Sequence, residues 1–279
     1  MAKKVLIVIA SIVLVVFAVI AYGYFSITGS STVSAQLRVE SGNVLVNDAV
    51  TTGKVLLKKG DSIKTSDDGK ATVILYESIV ISLESGTKIT LDDLTKAHPQ
   101  VSQEGGETWN KFTKLAGVKE YSIKAGNSVA SVRGTAFSIT EDKIVVAEGE
   151  VEYEKNGNDF NVTEDEVVET VGDQPVEREA NAEEMAKIKE NMEKTIEELK
   201  YIRNLEIEKQ GFLLNKLKEQ FGFTDEDIKQ TLNDADEGIV DVDELLEQSP
   251  VKIESLQKIA DLTKEIQKIK QSIGQTAAN

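Results

Sequence analysis

One histidine and no cysteine leave this chain few routes to covalent chemistry. His98, which precedes Pro99, has no second histidine to share a metal and no thiol beside it, so the common triads and zinc sites are nearly excluded. The acidic run Glu164-Asp165-Glu166 reads as the cover of a turn, not as the paired carboxylates of a glycosidase. Asn233–Glu244 is the strongest cation candidate. It places Gly238 sixth, Asp241 ninth and Glu244 twelfth, as in an EF-hand loop, but Ala235 stands third and offers no side-chain oxygen. A hard cation that wants six to eight oxygens is short of a ligand there. The reading adopted is a helix–turn–helix with a solvated acidic loop, with a divalent-cation module as an alternative. No catalytic residue, metal site or cofactor follows, and the chain is read as a non-enzyme.

The residues that command attention are architectural. Asn127–Phe137 carries Val129 and Val132 among small residues, then Arg133-Gly134-Thr135, then Phe137 and Ile139 in alternation. That pattern predicts a strand, a sharp glycine-dependent bend and a second strand. Short strands are expected on either side. Leu37, Val39, Val44 and Val46 alternate around Ser41-Gly42-Asn43, read as a hairpin, and Val73, Leu75, Ile79, Ile81, Leu83, Ile89 and Leu91 continue the pattern. Asn156-Gly157 marks a type I′ hairpin. Pro175 is read as the end of the β pattern. Trp109 is expected to pack on the sheet, since a large indole is costly to leave in water. Regular short strands without an exact repeat predict a mainly β domain, an irregular β-sandwich or β-solenoid-like fold.

Val129-Ala-x-Val-Arg-Gly-Thr-x-Phe137, followed by Val146-Ala-Glu-Gly-Glu-Val151, resembles the signature of the FecR protein domain family, named for the ferric-citrate regulator. Gly60–Thr65, Asp68–Leu75 and Gly86–Leu91 resemble its upstream motifs, and the likeness covers about residues 36 to 172. It implies structural roles for Val132, Arg133, Gly134, Thr135, Phe137, Glu148 and Gly149. Two turns depart from the family pattern. Ala125-Gly126 replaces the usual Thr-Pro, and Tyr76-Glu77-Ser78 replaces the usual Asp-Gly-Ser.

Charge and hydropathy divide the chain. Net charge is −16, made of +2 over residues 1–30, −10 over 31–179 and −8 over 180–279. An acidic exterior argues against nucleic acid as a partner. Val5–Phe25 is 21 residues without a charge, long enough at about 1.5 Å per residue to cross a hydrocarbon core of roughly 30 Å. Lys3-Lys4 precede it and no further cation occurs until Arg38, which predicts one uncleaved transmembrane helix with its N-terminus in the cytoplasm. The expected plan is a cytoplasmic tail over 1–4, the span over 5–25, a linker over 26–35, the FecR-like β-domain over 36–179 and a helical region over 180–279.

In that last region Asn181 and Glu184 form a capping-box pattern, and Thr224 with Asp227 form another. Met185, Ile188, Met192, Thr195, Leu199 and Ile202 make one apolar seam. Ile259, Leu262, Ile266, Ile269 and Ile273 make a second, in a helix expected to start at Ser249-Pro250. The seams predict an antiparallel, coiled-coil-like hairpin, or alternatively two helices packed on the β-domain. The sequence therefore predicts a single-pass, extracytoplasmic, non-catalytic binding or assembly module, in contact with the membrane and with a protein partner through the helical region. The alternative is a transmembrane signalling regulator of the sigma-factor-regulator type. Four cytoplasmic residues are too few for a sigma-binding domain, so such signalling has to pass through a partner. Oligomeric state is left open.

Overall fold

The computed structural model describes residues 35–276, except 116, 173, 212–214, 216–217, 219–221, 223 and 249–253. The apolar run Val5–Phe25, nearly all of the linker and the Ser249-Pro250 helix start lie outside the described residues. Within them, no helix is long and apolar enough to cross a membrane.

The strands run in chain order. They are β1 (Ala35–Ser41), β2 (Val44–Val46), β3 (Ala49–Thr51), β4 (Lys54–Leu56), β5 (Ser62–Thr65), β6 (Lys70–Leu75), β7 (Ile79–Leu83), β8 (Lys88–Asp93) and β9 (Gln100–Gln103). After these come β10 (Thr108–Phe112), β11 (Tyr121–Ala125), β12 (Ser128–Val132), β13 (Ala136–Ile139), β14 (Lys143–Glu148), β15 (Glu150–Lys155), β16 (Asn158–Thr163), β17 (Glu166–Val171) and β18 (Gln174–Glu179). Among the described residues four helices follow: α1 (Ala182–Lys209), α2 (Asp225–Asp236), α3 (Val242–Gln248) and α4 (Glu254–Thr276).

Two nine-stranded sheets result, ordered β18-β17-β14-β13-β10-β7-β6-β1-β4 and β16-β15-β12-β11-β9-β8-β5-β2-β3. Pairing is antiparallel except between β9 and β11. From β11 onward the chain makes a hairpin in one sheet and then crosses to the other. Ser41-Gly42-Asn43 is therefore a crossover and not the expected hairpin, because β1 and β2 belong to different sheets. The crossing is tight enough that a Cβ on Gly42 would collide with the Asp68 backbone. The fold is a sandwich and not a solenoid: Leu37, Ile63, Ile81, Ile89, Tyr121, Phe137, Val146 and Tyr153 all meet in one core between the sheets. Asn156 and Gly157 both have positive φ, 52° and 75°, as a type I′ turn requires. Pro175 sits inside β18 and does not end the β pattern. An edge strand tolerates proline because its missing N–H can face away from the sheet.

Burial separates the two sheets. β15 alternates strictly, with Glu150, Glu152 and Glu154 outside and Val151 and Tyr153 inside, as a one-sided sheet should. β6, β10, β13 and β14 are buried almost throughout, on both faces. Their outer face is covered by α1 and α4. Ile74, Val80, Trp109, Ala136 and Ala147 from the sheet share a second core with Met192, Ile196, Leu199, Ile202, Leu262, Ile266 and Ile269. The two helices run antiparallel, since Arg203 meets Thr263 while Gln210 meets Ser255 further along α1 and earlier in α4. The expected seams are thus shared. They face each other and also cover the sheet, making a third layer rather than a free-standing coiled coil. α2 and α3 add a small cluster, in which Ala235 and Val242 pack with Ala260 of α4.

Candidate functional site: the motif bend and the charges beneath the helices

The motif stretch crosses from one sheet to the other. Val132 ends β12, Phe137 lies in β13, and both side chains are buried in the inter-sheet core. Between them Gly134 takes φ +93°, which a β-carbon disfavours, and the Thr135 carbonyl accepts a 2.8 Å bond from the Phe112 N–H. Gly149, in the turn after β14, has φ +80°, and a Cβ there would stand 3.0 Å from the Gly134 carbonyl oxygen. The two halves of the motif therefore meet backbone to backbone. Arg133 points away into solvent. Its guanidinium is 3.6 Å from the Glu120 carboxylate, which is itself 3.5 Å from His98 Nδ1.

Glu148, the last residue of β14, turns toward the helices. One carboxylate oxygen is 2.5 Å from Lys111 Nζ and the other is 2.5 Å from Lys268 Nζ of α4. Lys111 also reaches Glu265 of α4 at 2.6 Å, and its side chain is only 1% exposed. Burial pushes the Glu148 carboxyl up, but Lys111 and Lys268 outweigh that and hold it below the ordinary glutamate value. The bond to Glu148 in turn raises Lys268. A buried ammonium between two carboxylates is tolerable only because each charge is paired.

A second cluster sits at the Tyr76-Glu77-Ser78 turn. Tyr76 and Glu77 both adopt left-handed φ, 53° and 54°. The Glu77 carboxylate bonds Lys209 of α1 at 2.6 Å and also Lys258 of α4. Glu206 completes the group, 3.0 Å from Lys209 and 3.2 Å from Lys258. Burial pulls the Lys258 ammonium down to about 8. The strained turn at Tyr76-Glu77 thus ties the sheet to both helices through the Glu77 side chain.

Further ties run the length of the layer. Trp109 donates from Nε1 to Thr195 Oγ1 at 2.9 Å, so the indole packs on the sheet as expected, under α1. Arg38 of β1 pairs with Glu198 of α1, whose carboxyl burial raises despite that partner. At the start of α1 the expected capping box is present, and Glu184 also accepts from Arg178 and Lys143. The Thr224–Asp227 box likewise opens α2.

The acidic segment Asn233–Glu244 is a helix–turn–helix, with a correction. Its first four residues continue α2, and Asp236 is buried, with both carboxylate oxygens bonded to Arg203. Asp241 accepts from the Asp243 and Glu244 N–H groups at the start of α3. Among the described residues no group of three or more His, Cys, Asp or Glu side chains is placed to hold a metal. Glu166 closes its turn by accepting from the Thr163 N–H and hydroxyl.

Sequence reasoning singled out Glu148 but missed Lys111, Glu77, Glu265 and Lys268. One signal was available. Trp109 and Lys111 are two residues apart in a strand and so share a face, and a tryptophan on an outer face implies a cover over its neighbour.

Residues 61–152 match the model of the family described as FecR protein. The chain carries a FecR domain. Its bend, its Glu148 and its Gly149 all fall within the matched residues. Two crystal structures described as a candidate anti-sigma factor from Parabacteroides distasonis are similar to this chain. They show 18% and 19% identity, and each match has a TM-score of 0.40 and covers 45% of this chain. The match spans 62% of the length of those proteins. No curated protein matches.

Proposed function

We propose that this chain is a non-catalytic regulator of signalling that is anchored at the cell envelope and works through a protein partner. The FecR domain over residues 61–152 carries this reading, and favours it over a purely structural assembly module. The proposed plan keeps a cytoplasmic tail over 1–4, a span over 5–25, a linker over 26–35, the β-domain over 36–179 outside the cytoplasm and the helical region over 180–279. Its supports are the uncharged run Val5–Phe25 and the change from strands to helices between Glu179 and Ala182. In the β-domain, Val132 and Phe137 act as core anchors, and Gly134, Thr135 and Gly149 as the crossing they support.

The helical region offers the contact. Ile239 is 73% exposed in the α2–α3 turn and Leu245 is 42% exposed on α3, large apolar groups in an otherwise charged surface. A photo-crosslinking residue at Ile239 of the intact protein in its native membrane tests the reading. A discrete membrane-protein adduct, lost in Leu245→Glu, is expected. No adduct at Ile239, or equal labelling from Asn161 on the far sheet, counts against it.

A further inference from the structure

On one side of the sandwich the edges of both sheets are open and nearly uncharged. β3 ends one sheet and β4 ends the other, and only Thr52 and Gly53 separate them in the chain. Residues 49–57 carry a single charge, Lys54, in a chain of which 29% is charged. Val50 on β3 is 67% exposed and Leu56 on β4 is 71% exposed. The opposite side is guarded against strand pairing. Its edge β18 carries Pro175, which has no N–H, and the exposed Glu177 and Glu179, while its edge β16 exposes Asp159.

The backbone of β4 fixes what can pair with it. The Leu57 N–H donates to the Ala35 carbonyl at 3.0 Å and the Val39 N–H to the Gly53 carbonyl at 2.9 Å, and Val55 lies opposite Leu37 midway between them. Antiparallel ladders alternate, so Gly53, Val55 and Leu57 turn toward β1 while Lys54 and Leu56 turn their N–H and C=O groups outward. The Lys54 and Leu56 side chains share the helix-facing side with Arg38 and Gln36, their partners across the ladder. Lys54 Nζ sits 4.7 Å from the centre of the Tyr201 ring of α1, and Arg38 beside it is paired with Glu198.

We infer that β4 pairs antiparallel with β4 of a second copy of this chain, about a two-fold axis through Val55, joining the two helix-covered sheets into one. In that register each Lys54 stands opposite the Leu56 of the other copy, and each such pair exchanges both of its backbone hydrogen bonds. No charge faces its own kind. The two Lys54 side chains are diagonal, and each leucine lies on the aliphatic stem of the opposing lysine, whose ammonium stays over Tyr201. Val50 of β3 adds apolar surface on the adjoining edge. A second copy fits better than a different partner because the segment is complementary to itself. Two chains of net charge −16 also repel, so their contact is least opposed where the surface is least charged, and Asp48 and Lys58 bound that segment on either side. The inference depends neither on the partner nor on the anchor proposed above.

The absence of cysteine makes the pairing directly measurable. In the full chain, Val55→Cys sets two thiols opposite each other in a non-hydrogen-bonded pair, with Cα atoms about 4.5 Å apart and within reach of a disulfide. Mild oxidation is expected to give a disulfide dimer from Val55→Cys and little from Val176→Cys, on the opposite side of the sandwich. Sedimentation of full chains without cysteine then separates specific pairing from proximity. Leu56→Lys puts like charges opposite each other and should weaken the dimer at least about tenfold, and adding Lys54→Glu restores opposite charges and should recover it. A wild-type chain that stays monomeric at the crosslinking concentration overturns the inference. So does crosslinking of Val176→Cys as strong as that of Val55→Cys, a dimer that Leu56→Lys leaves intact, or a charge exchange that recovers nothing. Should Val55→Cys fail to fold, the sedimentation series decides alone.

Discussion

Lys111 Nζ lies 2.5 Å from a Glu148 oxygen, at the junction of sheet and helix, and so couples the FecR motif to α4. Neither charge belongs to an isolated pair, because Glu265 and Lys268 of α4 complete the set. Lys111→Met should leave Glu265 without its buried partner and Glu148 with Lys268 alone, and destabilise the protein by about 3–5 kcal/mol. Combining it with Glu148→Gln and Glu265→Gln should recover most of that loss, since well-packed neutral groups replace a buried ion cluster at little cost. Urea melts of the single and triple variants check this, and a triple variant weaker than the single one would mean that the charges are not coupled.

The Tyr76-Glu77 turn combines strain with an ion cluster, and two substitutions separate them. Glu77→Gly removes the carboxylate but relieves a left-handed residue, whereas Glu77→Ala removes the carboxylate and keeps the strain. Glu77→Gly should be the more stable by about 1 kcal/mol, with both below wild type. Thermal melts of the two variants decide it. Equal midpoints would show that the backbone conformation is not the issue.

Stability should depend on acid at the start of α1. Bonding to Arg178 is the main cause that takes the Glu184 carboxyl from its ordinary 4.5 down to about 2 in the folded protein. The unfolded chain therefore binds that proton more readily between these values. The contribution is fully present above pH 4.5 and is lost as the pH falls through 2. Denaturation midpoints measured from pH 5 to pH 2 should fall less steeply in Glu184→Gln than in wild type.

The meeting of the motif halves predicts that Gly149→Ala is costly although the residue is exposed. The new Cβ faces the Gly134 carbonyl at 3.0 Å and holds an alanine at φ +80°. Gly157 also has positive φ, 75°, but a Cβ there meets nothing within 4 Å, so Gly157→Ala should lose only the left-handed cost of roughly 1 kcal/mol and Gly149→Ala distinctly more. Chemical denaturation of both variants gives the comparison.

Much of the fold was legible because its cues are local. The I′ turn at Asn156-Gly157, the capping boxes at Asn181 and Thr224 and the bend at Gly134 all depend on neighbours in sequence. What could not be read was which sheet each strand joins. Alternation identifies a strand's inner face but not its partner, so the Gly42 crossover looked like a hairpin. Pro175 misled for a related reason, since only an edge strand accepts it and edges are set by topology. The site was hidden similarly: Lys111 and Glu265 are far apart in sequence, and nothing local announces a pair made by docking one layer on another.

The role proposed for this FecR-domain protein is regulation of signalling through a partner engaged by its helical region. Transcript profiling of cells carrying Ile239→Glu with Leu245→Glu tests that most directly, with immunoblots to confirm unchanged protein in the membrane. The account predicts a small, coherent set of transcripts altered as in cells lacking the protein altogether. Transcripts unchanged both in that variant and in the deletion would contradict it.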